Sequence, residues 1–208
     1  MKKYTIEFIG AFFWVLTMGM TLIEPGAGNL APLAVGAILM VMVYAGIHIS
    51  GAHYNPAITL AVWLRGRFEA SDIIGYMISQ ILGAALAAFV VRFLKGGHEV
   101  IPTALDIKAA LLAEMIFTFA LAFVFLNVLT AKKNKGNTYF GLALGFTVAA
   151  GMYAMGSVSI GVFNPAVAFG ISIMGMNSWV NIWLYFIANF LGGALAAIVF
   201  SYLHPDDK

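Results

Sequence analysis

The chain has 208 residues, of which 62% are hydrophobic and 10% charged, with no cysteine and a formal net charge of +2. Soluble domains carry about 25% charged residues, and a chain of this length lacks the polar surface to cover so many apolar side chains in water. The solvent for most of it is therefore lipid. The missing cysteine excludes disulfides, thiolate nucleophiles and cysteine metal sites, and the small net charge gives no footing for nucleic acid.

The start, MKKYTIEFIGAFFWVLTMGM, couples a basic end to an apolar run as a signal peptide does. Glu7 interrupts that run and no small-residue cleavage site follows cleanly, so the segment reads as a retained first membrane helix. A membrane-crossing helix needs about 20 mostly apolar residues, and six such runs can be drawn, at 4–22, 31–50, 72–94, 108–130, 138–157 and 179–203. EPGAGN at 24–29 and KKNKGN at 132–137 carry turn signals. After the second run and after the fifth comes an apolar stretch that is too short. Each, from Asn-Pro onward, is about 10 residues, or ~15 Å of helix, half of a hydrocarbon core ~30 Å thick. Both read as half-helices that dip into the membrane without crossing it. In this arrangement Lys2, Lys3, Arg65, Arg67, Lys132, Lys133, Lys135 and Lys208 lie on one side, and Arg92, Lys95 and Lys108 on the other. That bias puts both termini in the cytoplasm of a multi-pass protein, with the plasma (inner) membrane as the expected location.

The sequence also repeats itself. ISQILGAALAAFVV at 78–91 returns as IANFLGGALAAIVF at 187–200, an offset of 109 residues that also separates Asn55 from Asn164. Glu7 in IEFIGAFF and Glu114 in AEMIFTFA are 107 apart. Each half holds three spans, an odd number, so the halves insert with opposite orientation: an inverted repeat of 1–105 and 106–208 within one domain.

YNPAITLAV at 54–62 and VFNPAVAFG at 162–170 place Asn-Pro-Ala at the head of each short segment. Asn is a strong helix N-cap and Pro suits the first helical position. Inverted symmetry brings the two half-helix N-termini together near mid-membrane, each carrying roughly half a positive charge. Irregular backbone at that depth, HISGAH at 48–53 and SVSIGV at 157–162, is tolerated only where it is buried in protein or lines a wet cavity. If each Asn oxygen caps its own helix, the amide NH₂ is left as a donor toward the lumen. A water there offers its oxygen to Asn55 and Asn164, which interrupts proton hopping, while the helix ends repel cations.

HISGAHYNPAITL, the second Asn-Pro-Ala and the six spans resemble the aquaporin, or major intrinsic protein, family over nearly the whole chain. The resemblance implies an all-α membrane protein of six transmembrane helices plus two re-entrant half-helices. It also implies a homotetramer in the lipid bilayer whose protomers each pass water or small neutral solutes, without cofactor, metal or nucleic-acid partner. By the same resemblance the pore motifs are Asn55, Pro56, Ala57, Asn164, Pro165 and Ala166. Glu7 and Glu114 brace the re-entrant loops by accepting hydrogen bonds, and His48 and His53 occupy family positions where bonding to the loop is expected; His48 is taken with the carboxylates as a loop-bracing residue. His98 and His204 read as loop and tail.

One departure matters. Most of the family follows the second Asn-Pro-Ala with an arginine at the outer constriction, and here that position is Val167. Ungapped transfer of the other constriction positions gives Val35, Met152 and Gly161. The expected filter is apolar and, unless Met152 swings across, widened. One unit charge at ~5 Å and an effective dielectric of ~20 contributes about 3 kcal/mol against a cation. Two helix ends at ~4 Å contribute about 4 kcal/mol, so the mid-pore barrier survives loss of the arginine while strict water preference relaxes. The function that follows is passive permeation of water and small uncharged solutes of the polyol, urea, ammonia or metalloid hydroxide type. The alternatives are a mainly water-conducting channel, an inverted-repeat secondary transporter, for which no acidic pair stands in the half-helices, and a closed structural protein. No triad, metal cluster or phosphate loop points to an enzyme.

Overall fold

The computed structural model describes residues 1–97 and 100–207; His98, Glu99 and Lys208 lie outside them. Eight α-helices run in chain order: α1 (Lys2–Leu22), α2 (Ala31–Ser50), α3 (Pro56–Leu64), α4 (Ala70–Leu94), α5 (Ile107–Phe125), α6 (Phe140–Ser159), α7 (Pro165–Ile173) and α8 (Ile182–Leu203). A π-helical turn, Leu126–Thr130, prolongs α5. Six of these helices, with their flanking turns, are long and apolar enough to cross a membrane: Lys2–Leu22, Gly28–Ser50, Ala70–Leu94, Ile107–Thr130, Phe140–Ser159 and Trp179–Leu203. The six expected spans are all found, with ends shifted by no more than three residues. Helices this apolar on every side are buried in protein on one face and suited to lipid on the other. Phe89, Phe93, Phe146 and Ile198 are among the large apolar side chains on the outer faces.

α3 and α7 have nine residues each, about 13 Å of helix, too short to span. Packing is reciprocal. α1 lies against α2 and α4, α5 lies against α6 and α8, and α2 meets α6 between the halves. Each half-helix crosses over: α3 packs mainly on α8 and α7 mainly on α4. Gly36 and Gly145, 109 apart, face each other where α2 crosses α6, and a Cβ on either would stand 2.4 Å from the other's carbonyl oxygen. Only hydrogen side chains permit backbones this close, as at small-residue contacts between membrane helices generally.

At the end of the molecule that holds Arg65 and Lys132, the C-terminal tail folds back. Asp207 Oδ1 accepts from Arg65 Nη2 at 2.8 Å and from Arg67 Nη2 at 3.4 Å, and Oδ2 accepts from the Lys132 backbone N–H at 2.7 Å. The Arg65 guanidinium stacks on Phe200 at 4.6 Å, a cation–π contact that fixes the donor fork. The Lys132 N–H, with the arginine beside it, holds the Asp207 carboxyl below its ordinary range. A carboxyl depressed in the folded state stabilises docking above its ordinary titration range and loses that contribution as pH falls through the lowered value. The tail is therefore expected to stay docked at neutral pH and to release only in acid below the usual carboxylate range. Asp207→Asn should free it already at pH 7, read as a rise in the mobility of a spin label at position 206.

Candidate functional site

The loops entering α3 and α7 run through backbone that L-residues avoid. Ala52 and Tyr54 have φ of 52° and 51°, and Ile160 and Phe163 have φ of 74° and 50°. Non-glycine residues in this region are uncommon and carry strain of order 1–3 kcal/mol each, so something must hold them. Two carboxylates do. Glu7 Oε1 accepts from Ser50 Oγ at 2.6 Å and from the His53 N–H at 3.0 Å, and Oε2 accepts from the Tyr54 N–H at 2.6 Å and from Gln80 Nε2 at 2.8 Å. Glu114 Oε1 accepts from Ser159 Oγ at 2.8 Å and the Val162 N–H at 2.9 Å, and Oε2 from the Phe163 N–H at 2.6 Å and Asn189 Nδ2 at 3.0 Å. Both carboxylates are fully buried, so four charge-assisted donors each are what offset their desolvation. Tyr76 and Tyr185 complete the frame by donating to the Ser50 and Ser159 carbonyls at 2.8 and 3.1 Å.

His48 takes no part. It sits exposed in the last turn of α2 and makes no hydrogen bond among the described residues, because the brace needs groups that point inward and residue 48 projects from the opposite side of its helix to Ser50. The bracing partners that sequence reasoning missed are Ser50, Ser159, Gln80, Asn189, Tyr76 and Tyr185. Each pair is separated by 109 residues, so the repeat offset was the signal that pointed to them.

The half-helices start as their sequence implies. Asn55 and Asn164 are N-caps, Oδ1 accepting from Ala57 and Ala166 N–H at 2.8 and 2.9 Å, with Pro56 and Pro165 in the first helical position. Their amides are not left wholly to the lumen. Asn55 Nδ2 donates to the Phe163 carbonyl at 2.9 Å and Asn164 Nδ2 to the Tyr54 carbonyl at 3.0 Å. Each cap thus laces its loop to the other loop with one hydrogen and keeps the second amide hydrogen. The two positive helix ends face each other across this lacing.

Several cavities lie along the molecule, three of which bear on the site. One, of about 750 Å³, opens at the tail end and is lined by Ser50, His53, Phe68, Phe125 and Lys132 among others. Another, of about 350 Å³, opens at the far end and reaches Pro32, Met152, Tyr153 and Ile160. Between them is an apolar void of about 10 Å³ that shares His53 and Phe125 with the tail-end cavity. The His53 ring is packed among Phe68, Tyr76 and Phe125 at centroid distances of 4.9, 5.2 and 5.6 Å. Thr59 Oγ1 donates to the Asn55 carbonyl and accepts from Gln80, so its 3.2 Å contact with His53 has Nδ1 as donor and leaves Nε2 as an acceptor.

Val35, Met152 and Val167 are almost fully buried, as is Gly161. Gly161 (φ 75°) lies under Met152, whose Cα and Cγ stand 3.1 Å from where a Cβ would be. Met152 therefore occupies part of the room that a glycine at 161 leaves. Glu114→Gln, which would oppose an NH₂ to the Val162 or Phe163 N–H, should cost about 2–4 kcal/mol through lost charge-assisted and unpaired bonds. The expected readings are a lower unfolding temperature in detergent and at least tenfold lower osmotic water permeability in proteoliposomes.

Comparison with known proteins agrees with this geometry. The profile of the family described as Major intrinsic protein matches residues 1–200. The chain is 34% identical over 186 residues to Probable aquaporin TIP3-2 of Arabidopsis thaliana, covering 86% of this chain and 68% of that protein. It is 32% identical over 226 residues to Aquaporin NIP1-1 of the same plant, covering 100% and 75%. Among solved structures, the aquaglyceroporin from Plasmodium falciparum superposes with a TM-score of 0.80 at 18% identity, over 96% of this chain and 94% of that one. An FNT family ion channel superposes less closely, at 0.58 and 13%, covering 98% and 88%. At such identities the structural matches speak for the fold alone. The family profile and the plant relatives together carry the assignment: the chain belongs to the major intrinsic protein family of membrane channels, and it is not an enzyme.

Proposed function

We propose that this protein is a passive channel for water and small uncharged solutes, with Asn55 and Asn164 at its midpoint and Val35, Met152, Gly161 and Val167 at its outer selectivity filter. The observation that carries the reading is the head-to-head meeting of two half-helix N-termini, each capped by an asparagine that retains one amide hydrogen after lacing the loops. Two positive helix ends in a water-poor channel disfavour cations, and a lone donor pair accepts a neutral permeant's lone pair. At the outer filter no charged donor is present, so a solute less polar than water loses little there in comparison with water. Glycerol-like polyols, urea, ammonia and undissociated metalloid hydroxides are the candidate classes.

The excess of Lys and Arg around residues 65–67 and 132–135 supports a cytoplasmic side for both termini. The plasma membrane is the proposed site, and a homotetramer, as in the family generally, the proposed assembly. A mainly water-conducting channel is the second reading, favoured by the void of about 10 Å³, which has room for about one water.

Proteoliposomes and stopped-flow light scattering test the solute reading, with ammonia, urea, glycerol and a metalloid hydroxide as probes. At least one should enter faster than into empty vesicles, and Val167→Arg should lower that flux relative to water by about tenfold, on the order of 1.4 kcal/mol. Water flux without any solute flux overturns the solute claim. Unchanged fluxes in Val167→Arg overturn the filter assignment.

A further inference from the structure

Away from the four filter positions lies the void of about 10 Å³, bounded by Trp14 of α1, Leu39 and Val43 of α2, Ile58 of α3, and Leu121 of α5. Ile58 is three residues beyond Asn55, so the void lies at the depth where the half-helices begin. Its walls are apolar apart from the His53 ring and the Trp14 indole.

Trp14 is 2% exposed, yet its indole N–H has no acceptor among the described residues. Buried tryptophans ordinarily find a partner for that hydrogen. An indole that lines a passage and lacks a protein acceptor is placed to donate to whatever passes.

The repeat sharpens the point. Glu7 and Glu114 are equivalent braces 107 residues apart, and the same offset carries Trp14 onto Leu121. Both line the same void. Two residues related by the internal symmetry thus meet across one space, and one of them is an indole where the other is an isobutyl group. Of the two, Trp14 is the bulkier, and its side chain forms part of the wall of the void.

We propose that Trp14 is the size-determining residue of the channel: its ring limits passage to neutral permeants about one water across, and its N–H donates to their lone pair. This deepens the reading given above and rests on it. Of the solute classes an apolar outer filter would admit, Trp14 passes ammonia along with water and rejects polyols. His53 lines the same void, so a small neutral permeant meets two polar side chains in an otherwise apolar throat. A branched polyol carries several hydroxyls that this site cannot pair, and leaving them unpaired is costly.

Two variants separate ring size from hydrogen bonding. Trp14→Leu places at residue 14 the side chain its symmetry mate already has, and Trp14→Phe keeps an aromatic ring without the N–H. In proteoliposomes, ammonia entry is followed by an internal pH dye, and glycerol and water by light scattering. The wild-type protein should pass water and ammonia with glycerol at the level of empty vesicles. Trp14→Leu should raise glycerol flux at least tenfold relative to water flux. Trp14→Phe should keep glycerol out and slow water and ammonia by up to about fivefold, the value of one neutral hydrogen bond. Free glycerol passage by the wild type, or glycerol flux in Trp14→Leu no higher than wild type, overturns the proposal. Should Trp14→Leu not survive purification, Trp14→Met, which also removes the ring, is read by the same criterion. Failure of the solute reading looks different: wild type passes water but no ammonia while Trp14→Leu still gains glycerol, which leaves Trp14 as the gauge.

Discussion

Everything at the centre of this molecule depends on two buried carboxylates, each saturated by four donors. A carboxylate in an apolar membrane protein is among the most expensive groups a sequence can place there. Glu7 and Glu114 are tolerated because each draws together two backbone N–H groups of a left-handed loop, one serine hydroxyl and one side-chain amide. The arrangement works in both directions. The loops satisfy the charges, and the charges hold Tyr54 and Phe163 in backbone conformations that would otherwise relax. Once those two residues are fixed, their carbonyls are in place to receive Asn164 and Asn55 from the opposite half, and the half-helix tips are locked to each other.

Function follows from what this lacing leaves over. Each asparagine spends its oxygen on its own helix and one hydrogen on the partner loop, which leaves one donor per tip and two positive helix ends. The site is therefore rich in donors and poor in acceptors, which suits a neutral lone-pair carrier and disfavours a cation. On the proposed filter assignment, the apolar surroundings, Val167 among them, would shift discrimination away from charge and toward size. Met152 lies over Gly161, and Trp14 is the residue proposed to set the width further in.

The sequence exposed much of this. Hydropathy alone located the six spans, because a lipid solvent demands uninterrupted apolar length. The two Asn-Pro-Ala stretches located the half-helices, because capping and first-turn preferences are local. Glu7 and Glu114 stood out as charges where none should be. Gln80 and Asn189 did not, since one polar side chain in an apolar run is ambiguous until something shows which way it points; the 109-residue offset already paired them. His48 was misjudged because it lies close in sequence to the brace, whereas helical geometry turns it outward. The lacing of Asn55 to Phe163 joins residues 108 apart, and no local pattern encodes it. Trp14 was passed over because an aromatic residue in a first span ordinarily meets lipid or core.

In the proposed channel a neutral permeant travels through a donor-lined point at which protons and cations are refused. The most direct test is to record osmotic water flux and proton flux on the same proteoliposome preparation, with a pH dye inside. Water permeability well above that of empty vesicles, with proton leak no greater than theirs, is the outcome required. Proton flux that rises in step with water flux, or water flux no faster than through bare lipid, would contradict it.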